Sequence, residues 1–523
     1  MDFAGGRYEL VERLGEGGEG EVWRAADRLR PGQDIALKKI ATQGRSDLAR
    51  FLRSEFQVLA ALDHPRLARV HDLGPRSGYY TRDFMEGAPL EIPSGGMGTG
   101  RALAVALEIA RGLRPLHRSG LVHGDLKPGN VIVESGGAVR LIDFALAGTL
   151  TTGASALPSG TMRYMSPEMI EGRVPDGRGD LYSLGLILAE MITGEPAVTG
   201  TAGDMARAHL EGGIRIDVEG AAGQEAGIAG VAAVVRRLCA REPLDRFPTL
   251  DEAEAAIMSL VPGCGEDPFA RRAAVGAVQS RSRLRDRAVA AMEGFGSRAA
   301  GPGVLLVQGD GGSGRTSFMR ALRWELQAKG WRTIDVDPAR DGGDGVEERS
   351  LVRQIAWHAA EAGIAIDPGV AADRPAEDRA TGRRIEREAA SLVAALAAQG
   401  PVAILVDDIE SVHVRAARLI RSVAGRPGAA WVRVAASCGT GAAGRAPVIG
   451  AGPVVEIALE RLGRDEIAAM ARSVIGRDDA RLVAIVAEAS GGIPALAAHY
   501  VVRRGAEGPR RDGVVDGDLP GRL

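Results

Sequence analysis

Glycine residues near the start of the chain occur at spacings that suit phosphate binding. Residues 14–22 read LGEGGEGEV, so Gly15, Gly17, Gly20 and Val22 follow the pattern G-x-G-x-x-G-x-V. Glycine at these positions allows backbone N–H groups to close over a triphosphate without a clash from Cβ. Taken alone, the pattern is more typical of a flexible hairpin in a chain with 72 glycines. Its interpretation therefore depends on the residues that follow.

A lysine and a glutamate follow at positions where they could face each other. Lys38 ends the apolar run 35–38, and Glu55 falls on the same predicted helical face as Leu52 and Leu59. A carboxylate that faces the core needs a cationic partner. We therefore expect Lys38 and Glu55 to pair, which would fix the lysine ammonium against the α and β phosphates of a nucleotide. The alternative is an exposed glutamate at the edge of a helix.

The segment 123–130, HGDLKPGN, supplies three side chains suited to phosphoryl transfer. Asp125 can orient a hydroxyl nucleophile, Lys127 can offset charge in the transition state, and Asn130 can hold a metal ion. After a predicted hairpin, Asp143 ends a strand, where its carboxylate could chelate Mg²⁺. Each aspartate alone could be a turn or cap residue, but the order and spacing of the whole set favour catalysis.

These motifs together resemble the eukaryotic-like (Hanks-type) serine/threonine protein kinases of bacteria. The resemblance covers residues 8 to about 260 and continues in the segments 166–168 (SPE) and 180–185 (DLYSLG). It implies a bilobal α+β fold, ATP and Mg²⁺ as cofactors, and protein substrates with Ser or Thr acceptors. It also implies a buried ion pair between Glu168 and Arg246 that anchors the activation segment.

Three residues depart from the pattern of that family. Gly124 replaces the arginine of H-R-D, which removes the cation that would bind a phosphorylated activation loop. Ala145 replaces the last glycine of D-F-G, and Arg82 stands at the gatekeeper position, where an apolar residue is usual. None of these changes removes a catalytic group. The Ser/Thr-rich segment 149–161 offers hydroxyls for autophosphorylation, although such a composition is also typical of a flexible loop.

From 304 onward, apolar runs at 304–307, 333–336, 402–406 and 431–435 alternate with helical patterns, an order that predicts a parallel sheet. A second phosphate-binding motif follows the first of these runs. The segment 309–316, GDGGSGRT, contains Gly309, Gly314, Arg315 and Thr316 and precedes an amphipathic helix, which is the context of a P-loop. Arg315 stands where the motif has lysine; it keeps the charge but presents a bulkier planar fork. We therefore expect nucleotide binding without efficient hydrolysis, the alternative being a degenerate, empty loop.

Two later segments support this interpretation. The apolar run 402–406 ends in Asp407, which resembles a Walker B carboxylate that holds Mg²⁺, although any buried strand can end in such a turn. The segment 491–494, GGIP, resembles the G-x-P element of STAND-class AAA-like ATPases. That resemblance covers roughly 275–503 and implies an α/β P-loop NTPase domain with a parallel sheet, a C-terminal helical part and possible self-association. Ser437 falls at the sensor position of that class, without the arginine that often follows.

Length and composition bound the other expectations. With 523 residues the chain is long enough for about three to four domains. The net charge of −3 offers no general attraction to nucleic acid or to an anionic membrane, so neither is expected as a partner. Three widely spaced cysteines indicate a reducing compartment, and neither a signal peptide nor a membrane span is visible. We therefore predict a cytoplasmic protein.

The predicted domain organisation is the following. A kinase catalytic domain spans 1–262, with an N-lobe at about 8–90 and a C-lobe at about 91–262. A linker at 263–274 is followed by the ATPase domain at 275–503 and a disordered tail at 504–523. We predict a Ser/Thr protein kinase with autophosphorylation, regulated by the nucleotide-binding module. The alternative is a signalling scaffold with a catalytically weak kinase fold that assembles through the STAND-like domain.

Overall fold

A computed structural model describes most of the chain. The described residues are 2–4, 6–17, 20–40, 64–74, 78–118, 121–143, 162–211, 214, 216–218, 220, 227–261, 281–294, 303–338, 346–367, 379–425, 431–440, 453–475, 479–494, 496–497 and 500–501. Several predictions fall outside these ranges, namely the helix that carries Glu55, Ala145, the segment 149–161, the linker and the tail.

The first unit begins with a six-stranded antiparallel sheet in the order β1-β2-β3-β4-β6-β5. Its strands are β1 (Asp2–Phe3), β2 (Tyr8–Gly17), β3 (Gly20–Asp27), β4 (Asp34–Ile40), β5 (Val70–Gly74) and β6 (Tyr79–Asp83). On β4, Ile35 and Leu37 are fully buried in an apolar cluster of the sheet. Because side chains alternate along a strand, Lys38 faces the opposite side.

A helical lobe follows the sheet. Its helices are α1 (Thr99–Arg118), α2 (Pro167–Ile170), α3 (Gly177–Thr193), α4 (Ala202–Glu211), α5 (Ile228–Leu238) and α6 (Leu250–Met258), and its short strands are β7 (Ala88–Pro89), β8 (Val131–Val133) and β9 (Val139–Leu141). Helix α3 is buried along nearly its whole length, from Gly179 to Ile192, and forms the centre of the core. A residue in its first turn can therefore position a loop on the surface of the lobe. The described part of this unit has the predicted bilobal α+β arrangement.

The second unit contains a five-stranded parallel sheet in the order β11-β12-β13-β10-β14. Its strands are β10 (Val304–Gln308), β11 (Arg332–Val336), β12 (Val402–Val406), β13 (Val432–Cys438) and β14 (Val454–Ala458). Its helices are α7 (Ser282–Gly294), α8 (Arg315–Ala328), α9 (Val346–Glu361), α10 (Arg379–Gln399), α11 (Val414–Ala424), α12 (Arg464–Ile475) and α13 (Ala480–Ser490). The predicted parallel sheet is confirmed, because every pairing within it is parallel.

Two details of the second sheet differ from the sequence-based expectation. The strand expected at 431–435 begins at Val432, because Trp431 is 53% exposed and lies outside the sheet. Strand β14 was not expected, since it is an edge strand in which only Ile457 is buried. An edge strand with one buried position lacks the apolar run that identified its neighbours.

The two units contact each other through helix α8 and strand β5. Trp324, Ala321 and Ala328 of α8 belong to the same apolar cluster as Val70 and Leu73 of β5. The helix that follows the predicted P-loop therefore packs on the outer strand of the first sheet. None of the helices in the described ranges is long and apolar enough to cross a membrane.

Candidate active site

The described part of the glycine-rich segment lies at the end of β2 and the start of β3. Gly17 pairs with Gly20 at the end of this ladder, and Val22 lies opposite Lys38 on β4. A Cβ atom added at Gly15 would meet no described atom within 4 Å. Packing against described residues therefore does not explain the glycine at this position, whereas space left for a ligand would.

Lys38 lies on the inner face of the sheet and is only 7% exposed. Its ammonium lies 5.9 Å from the centre of the Tyr80 ring, on the neighbouring strand. The pairing predicted between Lys38 and Glu55 stays a prediction, because Glu55 lies outside the described residues.

Three predicted side chains converge on the loop before β8. The Lys127 ammonium donates a hydrogen bond of 2.7 Å to Asp125 Oδ2. Asn130 Nδ2 donates to the same oxygen at 3.0 Å and to the Asp125 carbonyl at 2.8 Å. Residues Pro128–Asn130 form a short 3₁₀ turn. Its first residue is proline, whose fixed φ suits the first position of a helix. This turn directs the Asn130 side chain back toward Asp125. The Asp125 carboxylate is thereby held in one orientation.

Asp143 follows β9 and faces the same loop. Asn130 Nδ2 lies 3.4 Å from the Asp143 carbonyl oxygen, which joins the two predicted metal ligands. Asp143 has φ = 52°, a left-handed backbone that is costly for a residue with a Cβ and is often found at functional sites. Its Oδ1 atom is buried and accepts no hydrogen bond from the described residues. A buried carboxylate oxygen without a donor, next to an amide side chain, fits a hard cation such as Mg²⁺.

Charges around Asp143 keep its carboxylate ionised. Burial acts to raise the pKa of Asp143, but the Lys38, Arg82 and Lys127 cations together hold that pKa below its ordinary value. Arg82 is 6% exposed, and its Nη2 atom lies 3.7 Å from Asp143 Oδ1. The sequence marked Arg82 as unusual at its position but gave no indication that it faces Asp143, the carboxylate predicted to bind metal.

An aspartate of helix α3 holds the loop that carries Asp125. Asp180 Oδ2 accepts the backbone N–H of His123 at 2.8 Å, and Oδ1 accepts that of Gly124 at 2.9 Å. His117 Nε2 lies 2.7 Å from Asp180 Oδ2. Burial acts to raise the pKa of Asp180, but its contact with His117 and these N–H donors hold that pKa below the ordinary value. Gly124 has φ = 73°, so glycine at this position relieves backbone strain.

The ion pair between Glu168 and Arg246 is present. Arg246 Nη1 and Nη2 each donate a hydrogen bond of 2.8 Å to one Glu168 oxygen, and neither side chain is more than 5% exposed. Arg246 also donates to the carbonyl oxygens of Ala240 and Arg178. Because nearly every donor of the guanidinium has a partner, the pair is a fixed connection between α2 and the end of the lobe.

The segment predicted to be a P-loop connects β10 to α8 in the second unit. Gly309 is required by packing, since a Cβ there would lie 2.3 Å from Ser313 Oγ, and Gly314 has φ = 86° at the start of the helix. Thr316 is exposed in the first turn of α8. Arg281 Nη1 donates a 2.7 Å hydrogen bond to the Ser313 carbonyl and so fixes the loop from outside. Sequence reasoning missed Arg281, because its partner lies far along the chain.

The predicted G-x-P segment lies against the same loop. A Cβ added at Gly312 would lie 3.1 Å from Ile493 Cγ2, and the Gly492 carbonyl accepts the Leu462 N–H at 2.7 Å. Strands β10 and β12 are both neighbours of β13, so the glycine-rich loop and Asp407 lie near each other. The three segments that suggested a P-loop module, including the G-x-P segment, are therefore close in space.

Asp407 lies at the end of β12, where Ser437 of β13 holds it. Ser437 Oγ donates to Asp407 Oδ1 at 2.6 Å and accepts the Asp408 N–H at 2.8 Å. Arg315 lies near two carboxylates that follow β12. Its Nη1 atom lies 3.8 Å from Asp408 Oδ1, which belongs to the predicted Walker B segment, and 3.7 Å from Glu410 Oε2, which the sequence did not single out.

Comparison with known proteins identifies the first unit. The family described as the protein kinase domain matches residues 8–249. Serine/threonine-protein kinase PknB of Mycobacterium tuberculosis is 34% identical over 274 residues, which cover 48% of this chain and 42% of that protein. The DNA damage-responsive serine/threonine-protein kinase RqkA of Deinococcus radiodurans is 40% identical over 210 residues, covering 37% of this chain and 31% of that protein.

The chain spans less than half the length of these curated relatives. The matched region contains the convergent residues Lys38, Asp125, Asn130 and Asp143 and ends just before α6 closes the helical lobe. Residues 8–249 therefore match the protein kinase domain, and the relatives that share this region are serine/threonine-protein kinases.

Proposed function

We propose that the protein transfers the γ-phosphate of ATP to serine and threonine hydroxyls of proteins, its own included. The observation that carries the proposal is the convergence of Asp125, Lys127, Asn130 and Asp143 within hydrogen-bond reach of one another. Lys38 is near enough to lower the pKa of Asp143. The two sides of the expected cleft, with Lys38 on the sheet and Asp143 on the helical lobe, thus face a common space.

Each residue has a distinct role in the proposed reaction. Asp125 accepts a hydrogen bond from the acceptor hydroxyl and orients its oxygen toward the phosphorus. Lys127 offsets the charge that develops during transfer, and Lys38 positions the non-reacting phosphates. Asn130 and Asp143 would hold Mg²⁺, which when bound supplies charge neutralisation for the phosphate oxygens.

The loop that carries Asp125 is held without the arginine of H-R-D. Two carboxylate oxygens of Asp180 bind consecutive backbone N–H groups, including that of Gly124. We propose that this arrangement keeps Asp125 in position whether or not the activation segment is phosphorylated. Phosphorylation of the segment 149–161 would then have a smaller effect on activity than in kinases with the arginine.

The test is γ-phosphate transfer to a generic basic protein by the full chain. Asp125→Asn should lower the rate by about 10²- to 10⁴-fold, because it removes the group that orients the hydroxyl. Arg101→Ala, which changes an exposed side chain on α1, is the matched control and should retain the rate. Equal transfer by the Asp125→Asn variant would reject the proposal. A nucleotide-dependent change in size without phosphotransfer would favour the scaffold alternative.

We further propose that the second unit binds a nucleotide at its P-loop and regulates the kinase. The predicted P-loop connects β10 to α8, and the neighbours of β10 in the sheet, β13 and β14, lie on its two sides. The strand order changes direction at β10, and ligands of open parallel sheets bind at the strand ends near a change of this kind. In this proposal Thr316 would contact the phosphates, and Asp407 would hold the Mg²⁺ that accompanies them. Because Arg315 is drawn toward Asp408 and Glu410, we propose binding with little hydrolysis. This is the P-loop ATPase domain of the STAND-like type that the sequence suggests for 275–503, and self-association through it belongs to the same proposal.

Nucleotide binding by the second unit is measured after the kinase cleft is blocked. In a full-length Lys38→Ala, Asp143→Asn background, calorimetric titration with Mg²⁺-ATPγS should still show one site. Thr316→Val should weaken this site by about tenfold, because it removes a hydroxyl close to the phosphates while keeping the side-chain shape. If the blocked background binds no nucleotide, the second unit has a degenerate, empty loop.

A further inference from the structure

A cavity of about 340 Å³ lies where the two units meet. From the second unit its lining includes Thr316 at the start of α8 and Asp407 just after β12, and from the kinase domain it includes Arg30 and Arg69. The other ionisable side chains of the lining are His71, Asp83, Arg320, Arg323, Asp335 and Asp337. Two of the residues proposed for the nucleotide site of the second unit therefore share one cavity with arginines of the kinase N-lobe.

The contact that encloses this cavity is fixed by hydrogen bonds. Arg323 Nη2 and Trp324 Nε1 of α8 both donate to the His71 carbonyl of β5, at 2.6 and 3.0 Å. Gln327 accepts the Leu73 N–H at 3.3 Å. Backbone groups of β5 at the sheet edge are thus satisfied by side chains of the helix that begins at the P-loop. The cavity is part of a specific interface and not an accidental gap between two surfaces.

A buried aspartate adds charge to the same contact. Asp72 of β5 is 3% exposed and lies 2.7 Å from Arg7 Nη2 of the kinase domain and 3.4 Å from Arg323 Nη1 of α8. Burial acts to raise the pKa of Asp72, but these arginines and Arg30 hold that pKa well below its ordinary value. The carboxylate is ionised and bridges the two units, so the position of α8 relative to β5 is defined.

The charges that line the cavity are not all compensated within it. Arg323 pairs with Asp335 at 2.7 Å, and His71 pairs with Asp83 at 2.7 Å. Arg30, by contrast, has its nearest described carboxylate oxygen, from Asp72, 4.0 Å away. Its Nη1 atom is buried and has no hydrogen-bond partner among the described residues. A buried guanidinium nitrogen without an acceptor is costly unless a ligand supplies one.

We infer that this cavity takes the terminal phosphate of a nucleoside triphosphate bound at the P-loop, with Arg30 and Arg69 of the kinase domain donating to its oxygens. The inference rests on the proposed nucleotide binding by the second unit. Guanidinium groups match phosphate oxygens with two parallel N–H donors, and the cavity volume falls in the range of ligand sites. Thr316 and Asp407 line the same cavity from the second unit, which is the side from which the phosphate would enter.

A functional consequence follows from the position of the arginines. Arg30 lies three residues after β3 and Arg69 immediately before β5, so both flank strands of the sheet that also carries Lys38. A triphosphate would reach them from the P-loop, whereas a diphosphate, one phosphate shorter, would not. The nucleotide state of the second unit would therefore be sensed directly by the kinase N-lobe.

The test compares triphosphate and diphosphate affinities in the full-length Lys38→Ala, Asp143→Asn background. Mg²⁺-ATPγS and Mg²⁺-ADP are titrated calorimetrically into this protein and into the same protein with Arg30→Ala and Arg69→Ala. We expect the double replacement to weaken ATPγS binding by about tenfold or more and to leave ADP binding within about twofold, as expected for a lost charge-assisted hydrogen bond to one phosphate. Arg101→Ala is the matched control.

Charge-conserving replacements separate a local effect from a damaged interface. The pair Arg30→Lys and Arg69→Lys should recover part of the preference for ATPγS over ADP, because the positive charge remains. A general disturbance of the interface would instead weaken both nucleotides equally in either pair, and that result would overturn the inference.

Two further outcomes would also overturn it, and they differ from each other. In the first outcome, ATPγS binding depends on Thr316, but the ratio of the ATPγS and ADP affinities does not change when both arginines are replaced. The proposed nucleotide site then stands and the arginine assignment is wrong. If the blocked background binds no nucleotide, the proposed function of the second unit fails and the inference fails with it. In that second outcome, arginine-dependent binding of inorganic phosphate alone would mean that the cavity is an independent anion site.

Discussion

The kinase cleft and the predicted P-loop of the second unit contain similar parts but arrange their charges differently. Both combine a glycine-rich segment, a cation and a carboxylate that follows a strand. In each site an aspartate just after the strand, Asp143 or Asp408, has positive φ. In the kinase cleft Lys38 contributes to the charge that keeps Asp143 ionised. In the P-loop unit Arg315 is drawn toward Asp408 and Glu410. The comparison teaches that the partners of a cation, more than its presence in a motif, indicate which site is prepared for chemistry.

Replacing one strand-end carboxylate in each site tests this difference most strongly. Asp143→Asn should lower phosphotransfer by at least about a hundredfold, because it removes a charged oxygen ligand from the site of transfer. Asp407→Asn should change the same rate by less than about fivefold, since it acts only through the regulatory unit. The measurement is initial-rate phosphotransfer at saturating Mg²⁺-ATP. Comparable losses in the two variants would contradict the proposal that phosphotransfer occurs in the kinase cleft and that the second unit only regulates it.

Breaking the buried ion pair of the kinase unit should have the next largest effect. Glu168→Gln leaves the Arg246 guanidinium buried without its counter-charge, which typically costs about 3–5 kcal/mol of unfolding free energy. Urea unfolding followed by tryptophan fluorescence measures the loss. Arg13→Ala, which removes one partner of an exposed pair with Glu16, is the control and should cause no measurable change. A stable Glu168→Gln protein would show that the pair does not anchor the activation segment.

Replacing the gatekeeper arginine should have a smaller effect on the kinase cleft. Arg82 places a cation 3.7 Å from Asp143 Oδ1, where a divalent ion would also need to approach. Arg82→Met removes this competition and should lower the Mg²⁺ concentration for half-maximal binding of an ATP analogue by about three- to tenfold. Fluorescence titration at fixed nucleotide concentration reports this value. A higher Mg²⁺ requirement in the variant would instead mean that Arg82 helps to hold the nucleotide.

The smallest predicted effect concerns pH and lies away from both sites. His209 is 1% exposed beside the Tyr182 hydroxyl, and burial lowers the pKa of His209 from 6.5 to about 4. The unfolded chain therefore binds a proton near pH 6.5 and the folded chain only near pH 4. Between these values the unfolded state holds more protons, so stability decreases as the pH is lowered below 6.5 and is unaffected by this group above it.

The corresponding measurement is the urea midpoint at several pH values for the parent and for His209→Gln. The parent should lose more stability than the variant between pH 6.5 and 5. Parallel pH dependences in the two proteins would exclude His209 as the responsible group.

The sequence predicted those parts of the molecule that depend on local spacing. The loop with Asp125 and Asn130 was predictable because its members lie within a few residues of one another. The parallel sheet was predictable from apolar runs that alternate with helical patterns. The ion pair of Glu168 with Arg246 came from the resemblance to a family, since their separation in the chain gives no local signal.

Other features depend on contacts that spacing cannot reveal. Arg281 supports the P-loop through the Ser313 carbonyl, and a backbone acceptor leaves no mark on the sequence. The apolar residues of α8 predict a buried face, but part of that face covers strand β5 of the other unit. Periodicity indicates that a helix face is buried without indicating which partner covers it.

The central claim is that phosphoryl transfer occurs in the kinase cleft of this chain. Its most direct test is mass spectrometry of the purified full-length protein after incubation with Mg²⁺-ATP, in parallel with the Asp125→Asn form. The account predicts phosphate on serine or threonine residues of the wild-type protein, including the segment 149–161, and none on Asp125→Asn. Equal phosphorylation of the two forms, or none on either under conditions where ATP binds, would contradict it.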